Sequence, residues 1–197
     1  SNTWSSASVR NADMVFSTIG ANTLTERMRI DSSGNSTFAG NVTVNGGITF
    51  PATQNASSDD NTLDDYEEGS YDATVGTGSS GSVSIDASVN NLQYTKIGRV
   101  VHVIGQLNVS SVSSPSGFFV VTLPFAIGDL AESGGRTSGS VTVTGVTSAN
   151  VSDFIVLGIE GESSMRVYLG DGTAPVADSA NQLQASATIR VNFTYYV

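Results

Sequence analysis

Hydrophobic positions in this chain alternate with polar ones far more often than they recur at helical spacing. Ala187, Ile189, Val191, Phe193, Tyr195 and Val197 share one parity, while Thr188, Arg190, Asn192 and Thr194 take the other. Period-two spacing predicts a strand with one buried face. Val83, Ile85, Ala87 and Val89 alternate with Ser84, Asp86 and Ser88, and Val141 and Val143 with Thr142 and Thr144. Residues 165–169 add a short strand. Three further segments are apolar at both parities: VVHVI at 100–104, FFVVTLPF at 118–125 and FIVLGI at 154–159. The first belongs to YTKIGRVVHVIGQL, residues 94–107, which reads as one long strand with a glycine at each end of its apolar run. Val100, His102 and Ile104 point one way, Val101 and Val103 the other. A strand apolar on both faces wants cover on both. A second sheet supplies one cover, and another copy of the chain is expected to supply the other.

From Tyr71 onward these segments amount to about eight strands, at the ~8–12-residue spacing of a sandwich or barrel. β-branched residues dominate over Leu and Ala, which disfavours helices. The expected fold is all-β, a jelly-roll-like β-sandwich over residues 63–197. Its loops are expected at 110–117, 128–139 and 170–181.

Residues 1–62 differ. Arg27-Met28-Arg29-Ile30 alternates and runs into the turn cluster Asp31-Ser32-Ser33-Gly34-Asn35. Two six-residue units follow, Gly40-Asn41-Val42-Thr43-Val44-Asn45 and Gly46-Gly47-Ile48-Thr49-Phe50-Pro51, aligning Val42 with Ile48 and Val44 with Phe50. A strip of two inward residues cannot bury itself within one chain and needs neighbours. Three chains wound on a common axis would supply them, so 1–62 is read as an intertwined β shaft; a plain linker is the other reading. SSDDNTLDDYEEG, residues 57–69, is an acidic break read as a solvated linker, with the domain boundary near Thr62. It lacks the spacing of a calcium loop.

Composition narrows the function. The formal charge is −10 over 197 residues, and Lys96 is the one lysine. Phosphate backbones are bound through basic side chains, so nucleic acid and anionic membranes are poor partners. Cysteine is absent, which removes disulfides and thiolate metal sites. No apolar run approaches the ~20 residues of a membrane helix. Charged residues make up 13% of the chain. The bland hydroxyl and amide surface suits work outside a cell. Six Asn-x-Ser/Thr sequons accord with chance in a chain this rich in those residues. The sequence does not start with Met, so a fragment or processed chain is expected.

Three strings resemble a known family. TERMRIDSSGN, residues 25–35, resembles the shaft segment of phage tail fibres and tail spikes. LDDYEEG, residues 63–69, with Tyr71 after it, resembles the segment that opens their distal domain; Ser70-Tyr71-Asp72-Ala73 stands where an aromatic and Thr-Pro usually follow. YTKIG with the alternating valines after it resembles a strand of that domain. None of the three is a catalytic signature, and no functional residue carries over. The resemblance implies a homotrimeric virion fibre whose distal head touches a host glycan or outer-membrane protein. Other virion tail proteins would join its N-terminal side. No cofactor is implied.

Candidate chemistry is sparse. His102 is the one histidine, too few for a metal cage, and a packed or interface role is expected. Glu160 and Glu162 would sit ~6.5–7 Å apart on one face if their strand continued through Gly161, within the range of paired glycosidase carboxylates. Nothing near them marks a sugar cleft, so no catalytic residue is assigned. Loops on a rigid sandwich are the better binding candidates. Arg136, Tyr168 and Asp171 are the expected receptor-binding residues, an aromatic face with charged neighbours. The resulting reading is a homotrimeric tail fibre that binds a host glycan without catalysis. A purely structural virion fibre and a glycan-cleaving spike are the alternatives. Val101→Asp or Val121→Asp is expected to abolish assembly and leave insoluble or unfolded protein.

Overall fold

The structure is a computed structural model that describes residues 12–51, 62–63, 65–131, 134–148, 153–170, 175–176 and 178–197. Among these residues it is all-β, with a single 3₁₀ turn at Ala180–Gln182. The chain splits into two compact units, residues 1–49 and 50–197. That division lies ahead of the boundary expected near Thr62.

The first unit is a three-stranded antiparallel sheet of β1 (Met14–Gly20), β2 (Thr23–Ile30) and β3 (Ser36–Phe38). β1 and β2 are joined through Ala21 and Asn22, both at positive φ, the backbone that matches the twist of a tight hairpin. β2 and β3 are joined by the expected 31–35 turn. There the Asp31 carboxylate accepts the Ser33 and Asn35 N–H groups at 2.9 Å and the Asn35 side-chain amide at 3.0 Å. Those bonds, the Asn35 side chain first, hold the Asp31 carboxyl below its ordinary range. No residue of β1–β3 is buried, and Met14, Phe16, Ile19, Leu24 and Phe38 are all exposed. The two six-residue units at 40–51 form no strand within one chain, and Val42, Val44 and Ile48 stand in solvent.

The second unit carries β4 (Tyr66–Asp72), β5 (Val75–Thr77), β6 (Ser82–Ile85), β7 (Asn91–Ile97), β8 (Val100–Ser113), β9 (Phe119–Thr122), β10 (Arg136–Thr144), β11 (Phe154–Ile159), β12 (Ser164–Gly170), β13 (Pro175–Val176) and β14 (Thr188–Tyr196). They form one 11-stranded sheet in the order β4-β7-β8-β14-β10-β11-β12-β9-β5, with β13 beside β12 and β6 beside β8. Residues 94–107 are thus a hairpin, not one strand. Gly98 takes φ +55 and, with Arg99, turns the chain so that Ile97 faces Val100. The jelly-roll winding expected from the sequence is not shown by this order, because β7-β8 and β10-β11-β12 are sequence neighbours that pair directly. β8 runs on to Ser113 and β10 starts at Arg136, so the loops expected at 110–117 and 128–139 are shorter than read.

The sheet curls because the chain passes from one half to the other at both ends. In β10, residues 136–139 pair with β11 and residues 140–144 with β14. Gly139 sits at this switch, where any Cβ would overlap the Phe193 ring. At the opposite edge β4 leads into β5. There the Thr74 N–H donates to Thr122 Oγ1 at 2.9 Å and the Tyr71 hydroxyl to the Thr122 carbonyl at 2.8 Å. Inside the curl, Val101, Val103 and Leu107 of β8 join Ile189, Phe193 and Tyr195 of β14. From the other half come Phe119, Val121, Val156, Met165 and Val167. Each is at most 1% exposed, and each such side chain contributes roughly 1.5–3 kcal/mol on burial. Val101 and Val121 are fully buried in this core. Asp at either position therefore tests folding rather than assembly.

Candidate functional site

Two of the family-like strings turn out to be partners. LDDYEEG supplies β4 and YTKIG supplies β7, paired with Tyr66 opposite Ile97, Glu67 opposite Lys96, Glu68 opposite Thr95 and Gly69 opposite Tyr94. Lys96 is buried and ion-paired with buried Asp65, and its ammonium lies 5.1 Å from the centre of the Phe125 ring. The Tyr94 ring lies over Gly69, where a Cβ would come within 2.6 Å of the hydroxyl oxygen. That hydroxyl donates diagonally to Glu67, and the ring stands edge-on to Phe125 at 5.2 Å. Burial first, and the Glu67 carboxylate second, push the Tyr94 hydroxyl up to about 12. The described part of the acidic stretch is therefore not a solvated linker: Asp65, Glu67 and Glu68 each have a named partner.

The outer face of β4-β7-β8-β14 reads off this register as rows. Tyr66, Ile97, Val100 and Tyr196 form the first, Glu68, Thr95, His102 and Thr194 the second, and Ser70, Gln93, Ile104 and Asn192 the third. Every side chain of the first row is exposed, which makes an apolar stripe across four strands. Phe50 extends it, its ring 6.2 Å from Tyr66. The second and third rows frame a groove of about 530 Å³. Glu68, Ser70, Gln93, Thr95, His102 and Ile104 line it, above the backbone of Gly69 and Tyr94. That volume falls within the ~300–1,000 Å³ of small-ligand sites. The Tyr66 hydroxyl donates to Glu68 Oε1 and is held protonated by it. His102 Nδ1 lies 2.9 Å from Thr194 Oγ1, which fixes the ring against the sheet.

The residues expected to bind a receptor do not converge here. Tyr168 lies on the outer face of the other half, opposite Ile155, with its ring 5.0 Å from Phe118. Its charged neighbour is Arg166, not Arg136. The Arg166 guanidinium lies 5.0 Å from the centre of the Phe118 ring and is paired with Glu162, which first, with Tyr168 second, raises its pKa. Arg136 opens β10 opposite Ile159. Ile155 and Ile159 lie four residues apart on β11, about 13 Å at ~3.3 Å per residue. Arg136 and Tyr168 therefore sit at opposite ends of that sheet half. Asp171 lies outside the described residues. Glu160 and Glu162 do not share a strand, because Gly161 at φ +80 ends β11 in a turn. Their side chains go to Leu130 and Arg166 respectively. Among the described residues, no group of three or more His, Asp or Glu side chains is placed to hold a metal ion.

Reading 94–107 as one strand hides the groove. Its signal is the outward parity of three paired strands, Glu68 and Ser70, Gln93 and Thr95, His102 and Ile104, which shows only once Gly98 is a turn.

No family model matches the chain, and no curated protein does. Among solved structures, its fold is similar to that of the Dettilon tailspike protein, at a TM-score of 0.52 and 21% identity. The likeness covers 66% of this chain and 23% of the tailspike, and it concerns the fold alone.

Proposed function

We propose that this chain is part of a virion tail protein, a homotrimeric fibre in which the curled sheet of residues 50–197 serves as a β-sandwich head that binds a host-surface glycan without cleaving it. The observation that carries this reading is the fold likeness to a tailspike protein. The uncovered apolar side chains of β1–β3 and of residues 42–48 suit a shaft, in which neighbouring copies supply the missing core. The exposed row of Tyr66, Ile97, Val100 and Tyr196 offers the head a contact of the same kind. Binding without cleavage is favoured by the groove's single carboxylate, Glu68, since the usual glycosidase geometries need two.

The test is adsorption. Purified protein is added to a panel of bacterial strains, and soluble polysaccharide from any strain that binds is used as competitor. Saturable, competed adsorption with no new reducing ends is expected. New reducing ends would establish a cleaving spike. Adsorption to no strain would leave a purely structural fibre.

A further inference from the structure

The β4-β7-β8 groove is defined by the polar atoms it leaves unengaged. Glu68 spends one oxygen on Tyr66, and His102 spends Nδ1 on Thr194. The Gln93 amide and the Ser70 and Thr95 hydroxyls have no partner among the described residues. These groups stand on two adjacent rows of three paired strands, on a backbone scaffold fixed by the ladder beneath them. Ile104, 42% exposed, adds an apolar patch among them.

We infer that this groove is a saccharide subsite selective for uncharged, hydroxyl-rich sugars, an inference that rests on the glycan-binding reading above. A sugar hydroxyl both donates and accepts. The groove answers with an amide that does both, two hydroxyls that do both, an imidazole nitrogen and a carboxylate oxygen. The C–H face of a pyranose ring finds Ile104. The charge of the lining sets the class. It holds one carboxylate and neither Lys nor Arg, on a chain of net charge −10. Carboxylate and phosphate groups are recognised chiefly through Arg forks and Lys ammonium groups, both absent from this lining, and Glu68 repels them. Uronate- or phosphate-bearing sugars are therefore excluded, and neutral ones are admitted.

The experiment is a printed array of neutral, uronate-bearing and phosphate-bearing oligosaccharides, probed with the full chain in its native assembly. Binding confined to neutral members is expected. Gln93→Ala and His102→Ala should each weaken it at least tenfold with an unchanged melting temperature. Thr95→Ala replaces either variant if it fails to fold. Glu68→Gln should admit uronate-bearing members that the parent rejects. Preference for anionic members, variants that bind like the parent, or a silent array would each overturn the proposal. Adsorption to the strain panel is run alongside. Groove variants that adsorb like the parent would remove the groove and leave the receptor reading standing. A parent that adsorbs nowhere would remove the receptor reading itself.

Discussion

Lys96 is the one lysine of the chain, yet it is buried. It pairs with buried Asp65 and packs on Phe125. Removing one partner of a buried pair strands the other charge, at roughly 3–5 kcal/mol. Lys96→Ala should lower stability by about that much in denaturant titrations. Lys96→Met combined with Asp65→Leu should recover much of the loss; no recovery would mean that the pair does more than satisfy itself. Tyrosines give the pH counterpart. Burial pushes the Tyr195 hydroxyl up to about 12, and Tyr71 higher still. In the unfolded chain both titrate near ~10. The folded state therefore holds protons that the unfolded state has released. This contribution is whole below pH ~10 and is lost as pH rises through about 12, on the order of 1.4 kcal/mol per unit and per group. Melting temperature should fall steeply between pH 10 and 12. A flat melting temperature with all tyrosinates forming near pH 10 would contradict the burial of these rings. The sequence showed Tyr195 as inward by parity alone. It did not show Lys96 as buried, because nothing local announces that a lysine four residues before a valine run will meet an aspartate 31 residues earlier.

At the scale of elements, the parity of β14 was legible to the residue. Six alternate apolar positions are what a sheet with one wet face requires, and five of the six are fully or nearly fully buried. The β7-β8 hairpin was not legible. Gly98 reads as the glycine that opens the apolar run, and without the pairing partner β4 nothing marks it as a turn. The β4 strand was hidden for the same reason: DDYEE reads as linker charge until Lys96, Tyr94 and Tyr66 are seen to engage it. Gly69 marks the pairing. Tyr94 fills the space that a side chain would take, so Gly69→Ala must displace a ring already packed on Phe125. A loss of about 1–3 kcal/mol is expected, read as a lower melting temperature. The double variant Gly69→Ala with Tyr94→Ala should show less than the sum of the two single losses. Strict additivity would mean that ring and glycine are not coupled.

At the scale of the molecule, the all-β class was legible in the alternation, and apolar side chains stand where a single copy leaves them uncovered. The strip at 42–48, the β1-β2-β3 sheet and the row Tyr66–Ile97–Val100–Tyr196 are all exposed in a single copy. Arg136 and Tyr168 are not brought together, for a topological reason. They fall on strands that flank β11 from opposite sides, and sequence spacing alone does not say which strands become neighbours. Val100 and Val101 separate assembly from folding. Val101→Asp buries a charge at a fully buried core position and should unfold the curled sheet. Val100→Asp sits on the outer row and should leave the sheet intact while weakening association. Under the proposed trimer, copies of the same chain cover these surfaces. Light scattering on the purified chain after size separation tests it most directly. The predicted mass is three times the 20.3 kDa of one chain, persisting at micromolar concentration. A soluble, stably folded monomer at that concentration would contradict it.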